Sequence, residues 1–536
     1  MKMLVIAALV LTLAPAAGAQ TPVPVESIKT KPEQTNFEET SKYEEVVAFI
    51  NAVAQAAPSR LHVKTFGTTN ENRTLPLVVV GAPSATPDAV RRTGKLRVYI
   101  QGNIHAGEVE GKEAAQMLLR DLAAGKHQDW LKNVVLLIAP IYNADGNERF
   151  SLTNRGRQNG PIGGQGQRPN AQNLDLNRDH MKLDSPEAKA VVKLMNDYDP
   201  HVSLDLHTTN GTRHAYYLTY SPPLNPATDP AIIDLLRKDL FPTLTKNVRE
   251  KYGWDYYYYG NLDGGRGAEE RAWRSFDSRP RFNNNYIGLR NRFALLSEAY
   301  AYASFKDRIL ATTRFVDEAM DYISAHASQI RGITERSDKK NLIGSKLALR
   351  AKLARSADSV EILLGEVTQE KHPKDGHIMD VRKDVKIPEK MPEYGIFEAT
   401  ESERVPMFYF VPPGLTDAVA RLESHGIKAN VIGGRGGRGG GAPGANVAIE
   451  EFQIETNTEA PNAFQNHKER TLTGKWVATK KELPAGTLAI PINQPLARLA
   501  FYLLEPRSDD GLTNWNILDA ALGPEVKTYP IYRSAK

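Results

Sequence analysis

Apolar residues are distributed along this chain in two textures. Up to about residue 335, short apolar runs alternate with stretches of helical periodicity. Residues 75–80, 96–100, 134–138, 202–206 and 293–296 are runs too short for buried helices and read as buried strands. Between them, 109–122 and 186–195 read as helices. Tyr43, Val46, Val47, Ile50 and Val53 recur at helical spacing within 36–56, which predicts a helix lying on a core. Ile309, Val316, Met320, Ile323 and Ile330 mark a long helix over 305–330, ended by Gly332 and the charged run 335–340. Strands alternating with helices predict an α/β fold with a mixed, mostly parallel sheet flanked by helices.

Beyond residue 340 the runs, such as 405–411 and 488–492, are short and broken by Pro and Gly. They predict a smaller β-rich domain. Residues 433–445 consist of Gly, Arg, Ala and Pro and read as a mobile, solvated loop. The two Arg-Gly-Gly units within it lack the length and aromatic partners that RNA binding needs. The expected organisation is a signal peptide at 1–19, an exposed leader at 20–36, an α/β domain at 37–335 and a β-rich accessory domain at 340–536.

Composition narrows the function. A positive start, an apolar run over 4–13 and the small residues Ala17-Gly18-Ala19 predict a secretory signal cleaved near Ala19, hence a secreted or periplasmic protein. No later run approaches the ~20 apolar residues of a membrane span. The absence of cysteine excludes disulfides, thiol catalysis and thiolate metal sites. A net charge of +5, from 68 basic and 63 acidic residues well mixed along the chain, argues against a nucleic-acid partner.

The candidate chemistry begins with His105 and Glu108. Roughly one His-x-x-Glu pair is expected by chance in a chain this long, so context has to decide. The pair follows the strand at 96–100, His207 ends Val-Ser-Leu-Asp-Leu-His, and Glu298 ends Phe-Ala-Leu-Leu-Ser-Glu. Open α/β sheets bind ligands beyond the carboxyl ends of their strands. Two imidazoles and a carboxylate leave zinc an open position for water, a bound zinc lowers that water's pKa to about 7, and a nearby carboxylate can move the proton. No His-Glu-x-x-His helix occurs.

Five ordered segments carry a family resemblance: His105-Ala-Gly-Glu108, Gly156-Arg157-Gln-Asn159, Asp175-Leu-Asn177-Arg178-Asp179, Asp205-Leu-His207-Thr and Ser297-Glu298-Ala-Tyr300. In these the chain resembles the M14, carboxypeptidase A-like, zinc carboxypeptidases. The fragments Asn493-Gln-Pro, Leu503-Leu-Glu-Pro and Asp509-Asp-Gly resemble the C-terminal region of larger secreted bacterial members. The resemblance implies one Zn2+ per chain on His105, Glu108 and His207, with Glu298 as general base. It implies that Arg157 polarises the scissile carbonyl, with Arg155 the competing candidate. Asn177 and Arg178 would hold the terminal carboxylate of a peptide or protein substrate. The family's mobile tyrosine would come from Tyr256–Tyr259, Phe276 or Tyr286 and their surroundings; no spacing selects it, and Tyr286 is preferred. The competing readings are a zinc deacylase of N-acyl amino acids, resembling aspartoacylase or desuccinylase, and a peptide-binding protein with an idle site.

Overall fold

The strands β1 (Leu61–Thr68), β2 (Thr74–Val80), β3 (Leu96–Gly102), β4 (Val134–Ala139), β5 (Val202–Thr209), β6 (Leu218–Ser221), β7 (Tyr256–Tyr258), β8 (Asn261–Leu262), β9 (Trp273–Arg274) and β10 (Phe293–Tyr300) occur in chain order in the computed structural model, which describes residues 24–209, 211–262, 270–432 and 448–535. The expected signal peptide and the glycine-rich loop lie outside the described residues. Eight strands form the central sheet in the order β1-β2-β4-β3-β5-β10-β6-β7. Its middle, β4-β3-β5-β10, is parallel. Antiparallel pairings join β1 to β2, β2 to β4 and β6 to β10.

Every residue of β4 and β5 is buried. A strand covered by helices on both faces favours a continuous apolar run; β4 (Val-Val-Leu-Leu-Ile-Ala) is one, whereas β5 buries Ser203, Asp205 and His207 among its apolar residues. β1 was not legible in the sequence, because it is an edge strand in which only Leu61 is buried and Val63 is exposed.

Three expectations need correction. The first long helix starts at Tyr43, not near 36. Asn36 and Phe37 take left-handed φ values of 50° and 64°, and the Lys42 N–H donates to the Glu45 carboxylate at 2.8 Å to close the first turn. The helix expected over 305–330 is two helices, Phe305–Ala325 and Ala327–Lys339. It runs past Gly332 because Ile330, Ile333 and Ser337 keep one face buried while charged neighbours face solvent. Residues 24–36 are docked rather than fully exposed: Thr30 and Pro32 are buried, and Arg120 donates to Glu33 at 2.5 Å.

The C-terminal region is β-rich, as expected, with one six-stranded sheet, two two-stranded sheets and a four-stranded sheet shared with β8 and β9. The hydrophobic core does not divide near residue 340. One cluster of buried side chains runs from Tyr43 to Ile531, and all eight residues of the helix Ala497–Leu504 are buried. β9 pairs in parallel with Ile387–Tyr394. Arg281 is buried on Asp510 at 2.8 Å and lies over the Trp515 ring. The segment around Asp509-Asp-Gly is therefore structural, holding the loop before the helix Asn283–Leu289.

Asp184 anchors a second junction. It pairs with Lys182 at 2.8 Å, with Arg421 of the helix Thr416–His425 at 3.2 Å, and with His467 at 2.8 Å. Burial pushes its carboxyl up, but His467 and Lys182 outweigh that and hold it at about 2, below the ordinary 3.8. A depressed carboxyl contributes stability that is complete above about pH 4 and is lost as pH falls through about 2. Asp184→Asn is expected to remove this share of the acid dependence, measured by denaturant unfolding between pH 5 and pH 2. Parallel wild-type and variant profiles over that window would reject the assignment.

Candidate active site

The chain leaves β3 through a tight loop. Asn103 takes a left-handed φ of 68° and its side-chain amide donates to the Ala106 carbonyl at 3.1 Å, so His105 and Glu108 are presented before the helix Glu110–Ala123 begins. Gly107 permits the approach of the opposite loop: a Cβ there would lie 2.6 Å from the Gly166 carbonyl oxygen and from Arg155 Cδ. His207 and Glu298 are register partners on the neighbouring strands β5 and β10.

Three donors converge. His105 Nδ1 lies 2.9 Å from Glu108 Oε1, and His207 Nδ1 lies 2.9 Å from Glu108 Oε2. One ligand atom from each side chain lies within 4.8 Å of the others, and all three residues are buried. The outer nitrogens are held by carboxylates, His105 Nε2 by Asp175 at 3.0 Å and His207 Nε2 by Asp205 at 2.9 Å. Such carboxylate–imidazole pairs fix the ring orientation of metal-ligating histidines. Asp205 is held in turn by the Gln101 amide at 3.0 Å, and Asp175 by Arg168 Nε at 3.0 Å. Two buried imidazole nitrogens and a carboxylate, each oriented from behind, fit a zinc ion in donor type and number.

Glu298 stands outside that donor set. Burial pushes its carboxyl up to about 8, with Glu108 adding to the shift and His207 opposing it. A dication on the triad would draw it back down, since an adjacent positive charge favours the ionised form. A further layer locks the floor: Thr208 donates to the buried Glu110, which pairs with Arg308 of the helix Phe305–Ala325.

The pocket over the triad is lined by Arg155, Arg168, Asn177 and Arg178 on its polar side, and by Tyr259, Phe276, Phe282 and Leu296 on its apolar side. Arg178 stacks 3.7 Å above the Phe282 ring and donates to the Asn177 carbonyl at 2.8 Å.

Two preferences from the sequence are corrected. Arg157 is not brought to the site. Gly156 takes a left-handed φ of 56°, turning the chain between the two arginines, and Arg157 pairs outward with Asp380 at 2.6 Å. Arg155, the competitor, lies against Glu108 at 2.6 Å and lines the pocket. Tyr286 is fully buried, with its hydroxyl 2.9 Å from His425 Nδ1, whereas Tyr259 faces the pocket.

The sequence reading assigned no role to Arg168, Asp175, Asp205 or Gln465. Asp175 and Asp205 lie inside motif segments; Asp205 stands two residues before His207 on the same strand, whereas Asp175 is 70 positions from His105 and carries no such local signal. Gln465 offered no signal. It sits in the turn between the strands Ile449–Glu459 and Arg470–Thr479, and its side-chain carbonyl accepts the Asp175 N–H at 2.8 Å. The C-terminal region thereby reaches the residue that orients His105.

A buried two-imidazole, one-carboxylate donor set at the strand ends of a mixed sheet is the arrangement that suits a catalytic zinc ion. Residues 46–261 match the family model described as zinc carboxypeptidase, peptidase M14. The segment that carries the donor triad therefore matches the M14 zinc carboxypeptidases. The matched segment contains His105, Glu108, Arg155, Arg178 and His207 and stops before Glu298. Carboxypeptidase 2 of Trichophyton tonsurans is 24% identical over 515 residues, covering 91% of this chain and 86% of that protein. Carboxypeptidase 2 of Trichophyton rubrum is 26% identical over 495 residues, covering 86% and 81%. Among solved structures, a metallo-carboxypeptidase from Burkholderia cenocepacia is 19% identical with a TM-score of 0.40, covering 53% of this chain and 70% of that chain.

Proposed function

We propose that this chain removes the C-terminal residue of peptides, with a zinc ion held by His105, Glu108 and His207. The observation that carries this reading is a single pocket lined by His105, Glu108, Glu298 and three guanidinium groups, with His207 joined to Glu108 beside it. A bound zinc ion supplies Lewis acidity toward the carbonyl and the attacking water. Glu298 takes a proton from that water and delivers it to the leaving amine nitrogen. Arg155, which lines the pocket beside Glu108, serves the carbonyl oxygen by placing a guanidinium where negative charge develops. Arg178, held flat on Phe282, presents its free edge to the substrate's terminal carboxylate, the bidentate geometry to which a guanidinium is suited. Arg168 adds positive charge on the same wall.

We further propose that the enzyme acts outside the cytoplasm, on the strength of the apolar run and small-residue site in residues 1–19. Among the described residues no helix is long and apolar enough to cross a membrane.

The test is mass spectrometry of products from matched peptides with free and amidated C-termini, beside N-acyl amino acids. The expected result is stepwise loss of C-terminal residues from the free peptides alone. Internal cleavage, equal turnover of amidated peptides or preference for N-acyl amino acids would reject the reading.

A further inference from the structure

The turn His372-Pro373-Lys374-Asp375-Gly376-His377 joins the strands Val367–Lys371 and Ile378–Arg382 and carries a second set of metal-ligating side chains. Asp375 Oδ1 lies 3.2 Å from His372 Nδ1 and 2.6 Å from His377 Nδ1. The two imidazoles stack with centroids 4.6 Å apart and 14° between planes, and one ligand atom from each of the three residues lies within 4.8 Å of the others. Zinc bonds of about 2.0–2.2 Å in a tetrahedral array place ligand atoms roughly 3.3 Å apart, so this spacing is near what an ion would impose.

The turn is built before any ion arrives. The His372 N–H donates to the His377 carbonyl at 2.8 Å, the Gly376 N–H donates to the His372 carbonyl at 2.9 Å, and Gly376 takes the left-handed φ of 74° that lets the chain reverse. His372 is buried, so its ring is not free to wander. Ligands already held close lose little conformational entropy on binding. The Lys374 N–H approaches His372 Nδ1 at 3.3 Å, a long contact that an ion on that nitrogen would displace.

We propose that His372, Asp375 and His377 bind a second divalent transition-metal ion of the zinc class. Its position gives it a structural role. On the same hairpin Asp380 pairs with Arg157, the Asp380 N–H donates to the Arg157 carbonyl at 2.9 Å, and the Arg382 N–H donates to the Tyr302 carbonyl at 2.7 Å. These contacts tie the hairpin to the loop of Arg157, two residues from Arg155, and the ion closes its far end. Metal would thus stiffen the loop that carries Arg155 without touching substrate.

The experiment uses untagged full-length protein, stripped with chelator, reloaded with Zn2+ and desalted, with zinc per chain counted by mass spectrometry and Tm recorded. Wild type is expected to hold two ions. His377→Ala and Asp375→Asn, chosen because these side chains are more exposed than His372, are each expected to hold one. The His105→Ala/His207→Ala chain is also expected to hold one, and its Tm should still rise on adding Zn2+. A wild-type count unchanged by both turn substitutions, or a His105→Ala/His207→Ala chain that takes up no zinc, overturns the second site. Failure of the catalytic reading is distinguishable, because wild type would then hold one ion that His377→Ala removes.

Discussion

Glu298→Gln is expected to lower kcat by about 10²–10⁴ while the zinc content stays that of wild type, the range typical of losing a positioned general base. The substitution keeps the shape of the side chain and removes only its ability to accept a proton. The backbone at this position is paired on both sides, to β5 and to β6, so the strand has no freedom to shift. The carboxylate also stands outside the donor set, which His105, Glu108 and His207 complete without it. Rate and metal content should therefore separate, and steady-state kinetics beside metal analysis checks both. Undiminished kcat would reject the general-base role. Loss of zinc together with rate would mean that Glu298 is instead a ligand.

Arg178→Ala is expected to lower kcat/KM on peptides with a free C-terminus by about 10²-fold or more, the scale seen when one partner of a desolvated charge pair is removed. Residual turnover of amidated peptides should hardly change. Arg178→Lys should recover only part of the loss, since an ammonium restores the charge but not the planar fork. The paired kinetics of free and amidated substrates check this. If both substrates respond alike, Arg178 supports the pocket wall and does not read the terminus. Arg155 and Arg168 line the same wall, and the free-against-amidated ratio separates reading the terminus from a general loss of positive potential.

The arginine assignments show where linear pattern stops being informative. Arg155 and Arg157 are two residues apart in similar polar surroundings. The backbone turn at Gly156 sends one inward to Glu108 and the other out to Asp380, 223 positions along the chain. The partner that decides Arg157's direction belongs to the C-terminal region, which no local pattern links to this loop. Tyr286 likewise sits in the aromatic stretch where a substrate-facing tyrosine was sought, yet it packs inward on a buried helix against His425.

The same distinction holds for the two regions. A composition change near residue 340 marked a switch to β structure, but one core is shared across it, and Arg281, Asp510 and Trp515 join the two sides. Gln465 extends that union to the site by accepting the N–H of the aspartate behind His105.

The amino-acid sequence by itself determined the central strands, the flanking helices and the donor triad with its attendant glutamate. A strand buried on both faces is rich in apolar residues, and the ligands stand at or just beyond the carboxyl ends of such strands, His105 after β3 and His207 in β5. Only the tertiary structure decided which arginine enters the pocket, which carboxylates brace the histidines and how far the C-terminal region participates. Those outcomes depend on contacts between residues tens to hundreds of positions apart, and such contacts leave no periodicity in either partner's neighbourhood.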